Sequence, residues 1–200
     1  MKSTYIAAGI FALSSSLSAG TIFFGGGGGN LGVSSKTFTN GSISVIATGF
    51  ASSGGAQVDL FGKGLASIGT EDGLGLVNDT LDHEIQGHSF IQLDISSLSG
   101  LIQIAMGSTG GGDRWAIFGS NSGGIKGITQ LATGINDDSL LVTVTNATHF
   151  HFLDITAVNN NVLLQELSAT ASTPEPGTFA LLGLGAIGLG LIRRKNRTRI

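Results

Sequence analysis

The sequence predicts an all-β fold: a single antiparallel β-sandwich, jelly-roll-like, flanked by an N-terminal signal helix and a C-terminal transmembrane helix. Three observations carry the prediction. Short apolar or alternating runs, rich in Ile, Val, Thr and Phe, recur through the middle of the chain and are broken by Gly, Asn and Ser, as strands are by turns. No stretch between residues 21 and 172 sustains an apolar period of 3.6 residues. The composition agrees, with 33 glycines in 200 residues and only 12% charged residues, against about 25% in ordinary globular chains. Two prolines and no cysteine exclude collagen, a disulfide scaffold and a thiolate metal site.

Taken in order, residues 1–20 read as a secretory leader. Lys2 supplies the positive start, Ile6 to Leu13 the apolar run, and Ser14 to Gly20 a small, polar end broken only by Leu17. Small residues at the third and first positions before the cut are met twice, by Ser16-Leu17-Ser18 and by Ser18-Ala19-Gly20. The ectodomain is expected over 21–172. It opens on five consecutive glycines, Gly25 to Gly29, a spacer or loop. The strand-like runs that follow are Ser42 to Ala47, Gln57 to Phe61, Ser89 to Leu98, Leu101 to Met106, Trp115 to Phe118, Leu140 to Thr145, His149 to Val158 and Val162 to Leu167. A body of this length can bury a real core.

The last segment, 173–200, differs in kind. Pro174-Glu175-Pro176 stops regular structure, because each proline removes a donor and fixes φ. Residues 178–192 are uncharged and almost wholly apolar, and Arg193, Arg194 and Lys195 follow at once. An apolar run closed by a basic cluster reads as a membrane helix with a cytoplasmic tail, 193–200. Fifteen residues of helix span about 22 Å, short against a hydrocarbon core of ~30 Å, and four glycines weaken the helix further. The segment reads as a transient anchor. Gly183-Leu184-Gly185-Ala186-Ile187-Gly188 matches a dinucleotide-binding spacing, but it lies inside the apolar run without a βαβ unit.

Charge is split along the chain. Between Thr21 and Thr173 there are four basic residues, Lys36, Lys63, Arg114 and Lys126, against twelve acidic ones, a net of −8; five of the ten Lys and Arg lie in the last eight residues. Such an acidic body is no partner for nucleic acid.

Pro174-Glu175-Pro176, the Gly-rich apolar stretch and the terminal basic cluster together resemble a PEP-CTERM sorting signal, as in PEP-CTERM sorting domain-containing proteins. The resemblance covers roughly residues 173 to 200. It implies a Gram-negative export substrate, handled by the Sec translocon and signal peptidase. The precursor would be held transiently in the inner membrane. An exosortase, an integral-membrane transpeptidase, would cut it near the motif and pass it to the cell surface or extracellular matrix beside exopolysaccharide. Two stretches of the body, Gly73-Leu74-Gly75-Leu76 with the acidic loop after it and Trp115 to Ser120, also resemble PEP-CTERM ectodomains.

Candidate chemistry lies in an acidic stretch. Glu71, Asp72, Asp79, Asp82 and Glu84 fall within fourteen positions, and Asn78 adds an amide oxygen. Six to eight oxygens from a flexible loop suit calcium, although the spacing is not an EF-hand; the plainer alternative is a solvated acidic loop. His149 and His151, two apart, are expected on one face of a strand, where such a pair can chelate zinc or simply face water. Trp115 beside Arg114 could stack on a sugar ring; the plainer alternative is an ordinary strand-edge aromatic. There is no G-x-S-x-G elbow and no thiol nucleophile, so the reading is not an enzyme. It is a surface-sorted structural or adhesive protein. The alternative is a carbohydrate-binding module, calcium-assisted, acting on exopolysaccharide.

Overall fold

The computed structural model describes residues 19–26, 28–64, 71–79, 82–135 and 139–171. The leader before Ala19, the sorting segment after Ala171 and both flanking helices expected from the sequence lie outside the described residues. Residues 18–172 group as one compact unit. Among the described residues no helix is long and apolar enough to cross a membrane.

Among the described residues the unit is all-β, with fifteen strands. They are β1 (Ala19–Phe23), β2 (Gly29–Asn30), β3 (Ser35–Asn40), β4 (Ile43–Phe50), β5 (Gln57–Val58), β6 (Leu60–Lys63), β7 (Gly73–Leu76) and β8 (Ile85–Gln86). Then come β9 (Phe90–Asp94), β10 (Leu98–Gly107), β11 (Arg114–Ser120), β12 (Thr129–Ile135), β13 (Val142–Thr143), β14 (Phe152–Asn159) and β15 (Asn161–Ala171). Two short 3-10 turns, Gly110–Gly112 and Ala147–His149, interrupt them. The strands make two antiparallel sheets. The first runs β13-β10-β15-β7-β6-β2, with β1 and β8 also on β15; the second runs β12-β11-β14-β9-β4-β3, with β5 on β4.

Alternation explains the layers. In β4, Ile43, Val45 and Ala47 are buried while Ser44, Ile46 and Thr48 are not, the two-residue period of a strand with one face on the core. The β3–β4 hairpin pairs Asn40 with Ile43, leaving two residues for the turn. Gly41 takes the first place at φ +60°, which a tight hairpin of this kind demands. Inward residues of both sheets, among them Ile104, Leu164 and Leu167 of the first and Ile91, Ile117 and Leu153 of the second, share one core cluster.

Two local expectations are corrected. His149 lies in a 3-10 turn and His151 in a bend before β14, so they are not a same-face strand pair; Asn146 at φ +59° breaks the chain just ahead of them. Trp115 is 1% exposed and has no ring face for a sugar. Pairing of β14 with β11 is continuous from Phe152 to Ala157, and Leu153 and Ile155 face the core. Asp154 points the other way, where the loop after β11 covers it: Gly127 N–H donates to its Oδ2 at 2.7 Å and Gln92 Nε2 to its Oδ1 at 2.8 Å.

Candidate functional site

The most organised polar region lies where the chain changes sheets. Ser108 follows the first-sheet strand β10 before the chain enters β11, and Asn160 turns the chain from β14 into β15. The β7–β8 turn, with Asp79, Asp82 and His83, sits beside them. Four of the five described non-glycine residues with positive φ gather here: His83 (+58°), Ser108 (+55°), Ser139 (+59°) and Asn160 (+55°). Such conformations cost about 1–3 kcal/mol each and persist where the surroundings over-determine them, commonly at functional sites.

Two of them, Ser108 and Asn160, line a cavity of about 240 Å³. Its wall is polar throughout: the carboxyls of Glu71, Asp82, Glu84 and Asp113, the Ser108 hydroxyl, and the side chains of Asn160 and Asn161. A second cavity of about 160 Å³ shares Glu71 and Ser108 and adds Asp72, Ser139 and Gln165. The crossovers are tied together, since Asn160 Nδ2 donates to Asp113 Oδ1 at 2.6 Å and Asn161 Nδ2 donates to Asp79 at 3.3 Å and Asp82 at 3.4 Å.

Lys63, at the end of β6, lies under the shared wall and is 7% exposed. Its Nζ donates to Glu71 Oε2 at 2.7 Å and Glu84 Oε1 at 2.5 Å. The Ser108 hydroxyl lies 3.0 Å from an oxygen of each glutamate. Burial alone would lower the lysine; the hydrogen bonds and charges of both glutamates outweigh it and hold its pKa above the ordinary value. The glutamates diverge. Hydrogen bonding to Lys63 pulls half-exposed Glu71 below its ordinary value. Burial pushes Glu84 up to about 7, against the opposing pull of Lys63 and Ser108. Two carboxyls on one ammonium thus titrate apart because one keeps water and the other does not.

The six expected calcium ligands divide. Glu71 and Glu84 converge on Lys63, a cation supplied by the fold itself. Asp79 is buried and accepts the Glu84 N–H at 3.4 Å, while Asp82 is exposed on the turn. Asp72 lines the second cavity, with Oδ1 buried and unpartnered among the described residues; it packs so closely on Gly25 that a Cβ there would lie 1.4 Å away. Asn78 Oδ1 is likewise buried without a hydrogen-bond partner. Among the described residues no three or more His, Asp or Glu side chains gather at metal-binding spacing. The sequence reading missed Lys63, Ser108, Asp113, Asn160 and Asn161; the one signal was a lone lysine in the otherwise apolar, Gly-flanked stretch Leu60 to Gly64.

The other candidate elements, Pro174, Glu175, Pro176 and the basic Arg193, Arg194 and Lys195, lie outside the described residues. Strand β15 ends at Ala171, three residues short of Pro174. No curated protein and no solved structure matches the chain at a significant level. Residues 172–195 match the family model of the PEP-CTERM protein-sorting motif. The chain therefore carries a PEP-CTERM sorting domain at the end of its two-sheet body.

Proposed function

We propose that this is an exported, surface-sorted structural or adhesive protein of the extracellular matrix, delivered by an N-terminal leader and processed at Pro174-Glu175-Pro176 by an exosortase. The observation that carries the reading is the match of residues 172–195 to the sorting motif, joined directly to the last strand of the body. In this reading the two-sheet body is a jelly-roll-like sandwich and the cargo, and the apolar helix 178–192 with its basic tail holds the precursor in the inner membrane until the cut. The two prolines keep the chain extended around Glu175, the form a processing enzyme binds. The test is to express the chain in a host with its exosortase and in the same host without it. Cleaved protein at the surface in the first and uncut precursor in the inner membrane in the second is the expected result. Identical size and location in both would refute the reading.

One observation favours a second reading, a carbohydrate-binding module. The 240 Å³ cavity offers carboxylate acceptors and amide donors side by side, suited to neutral hydroxyl groups and hostile to anions. A glycan array run with calcium and with chelator tests it; a cavity variant, Asn161→Ala, that binds every glycan as the native chain does would remove the cavity from the account.

A further inference from the structure

The sequence offers the leader peptidase two bonds, one after Ser18 and one after Gly20. We propose that the chain is cut between Ser18 and Ala19, and that the strand so released becomes β1 of the mature fold. The inference rests on the export reading above.

The structure makes Ala19 and Gly20 part of the body. Strand β1 lies antiparallel on β15, pairing Ala19 with Thr170, Gly20 with Ala169, Thr21 with Ser168, Ile22 with Leu167 and Phe23 with Glu166. The strand is anchored along its length. Asn40 Nδ2 donates to the Thr21 carbonyl at 2.6 Å, Phe24 N–H donates to the Gln165 carbonyl at 2.9 Å, and Ile22 and Phe24 are each 2% exposed. Gly20 is packed too: a Cβ there would come within 2.9 Å of Ile43 Cγ1 and 3.2 Å of the Asn40 carbonyl. The fold thus has its own need for a glycine at 20, and the small residue there is accounted for without a peptidase.

Charge separates the two bonds further. Hydrolysis adds water across the peptide, leaving a carboxylate on the leader and an α-ammonium on the body. A cut after Ser18 puts that ammonium on exposed Ala19. A cut after Gly20 puts it on half-buried Thr21, inside the ladder, where a charge loses hydration, and it removes two of the five β1 pairs. A peptidase also needs its substrate extended and unpaired, so the cut precedes docking of β1 on β15.

The full chain is exported from a Gram-negative host and its N-terminus read by mass spectrometry. Ala19 as the first residue is expected. A chain beginning at Thr21 would overturn the assignment and leave export intact; a chain retaining Met1 would overturn the export reading and the assignment with it. A second measurement stands apart from the peptidase. Deleting Ala19 and Gly20 should lower the thermal midpoint of the exported chain, and an unchanged midpoint would overturn their place in the body.

Discussion

Replacing Lys63 with Met tests the charge cluster at the candidate site. Methionine keeps most of the apolar stem and removes the ammonium that holds Glu71 and Glu84. Glu71 is half-exposed and turns to water. Glu84, 3% exposed, cannot, and breaking a buried pair by removing one partner commonly costs about 3–5 kcal/mol. Protonation caps that cost. Holding a Glu of ordinary value 4.5 neutral costs about 1.36 kcal/mol per pH unit above it, so roughly 3.4 kcal/mol at pH 7 and under about 1 kcal/mol at pH 5. The sign follows from the raised folded value of Glu84, about 7. Its contribution is fully present below 4.5 and is lost as pH rises through 7, and the variant extends that window upward. The assay is urea unfolding followed by the fluorescence of Trp115, the one tryptophan, at pH 5, 7 and 8. Adding Glu84→Gln should recover most of the loss at pH 7 and flatten its pH dependence. An equal loss at pH 5 and pH 8, or no recovery in the double variant, would refute the reasoning.

Burial holds Asp154 at about 6 against the hydrogen bonds of Gly127 and Gln92 and the charge of Lys126. Its contribution is therefore full below about 3.8 and declines as pH rises through 6, spanning at most roughly 3 kcal/mol. Asp154→Asn should lose that slope between pH 4 and 6 in the same unfolding assay; a native slope in the variant would contradict it. A Cβ on Gly75 would sit 1.9 Å from the His83 carbonyl, so Gly75→Ala should displace the β7–β8 turn and cost about 1–3 kcal/mol or more by overpacking, whereas an unchanged midpoint would show the turn to be loosely held. In the glycan array, binding by the cavity should weaken in Asn161→Ala, with the melting midpoint near native as the control for folding.

Much of the fold was legible because strands declare themselves locally. Ile43, Val45 and Ala47 alternate with polar neighbours in β4, and short runs ending in Gly or Asn mark the turns. What failed was decided at long range or by single φ angles. The left-handed Asn146 and the 3-10 turn after it took His149 and His151 out of β14, which residue counting does not reveal. Lys63 meets Glu84 across 21 positions, and only sheet packing brings Asp113 to Asn160. Ala19 and Gly20 read as leader because their partners on β15 lie some 150 residues away. The acidic stretch was visible as composition, but not its division by burial into a charged Glu71 and a Glu84 near neutrality. The sorting motif was legible in full, since it is a linear sequence that works without tertiary neighbours.

The central claim is that Pro174-Glu175-Pro176 directs surface sorting of the body. Changing all three residues to Ala leaves the two sheets untouched, since β15 ends at Ala171. It removes the extended segment that the prolines impose and the one charge just N-terminal to the apolar run. Fractionation of the native host is the direct measurement. The account predicts a folded, uncut precursor in the inner membrane, about 3 kDa heavier than the mature form by the mass of the lost segment. A triple variant found at the cell surface at the native mature size would contradict it.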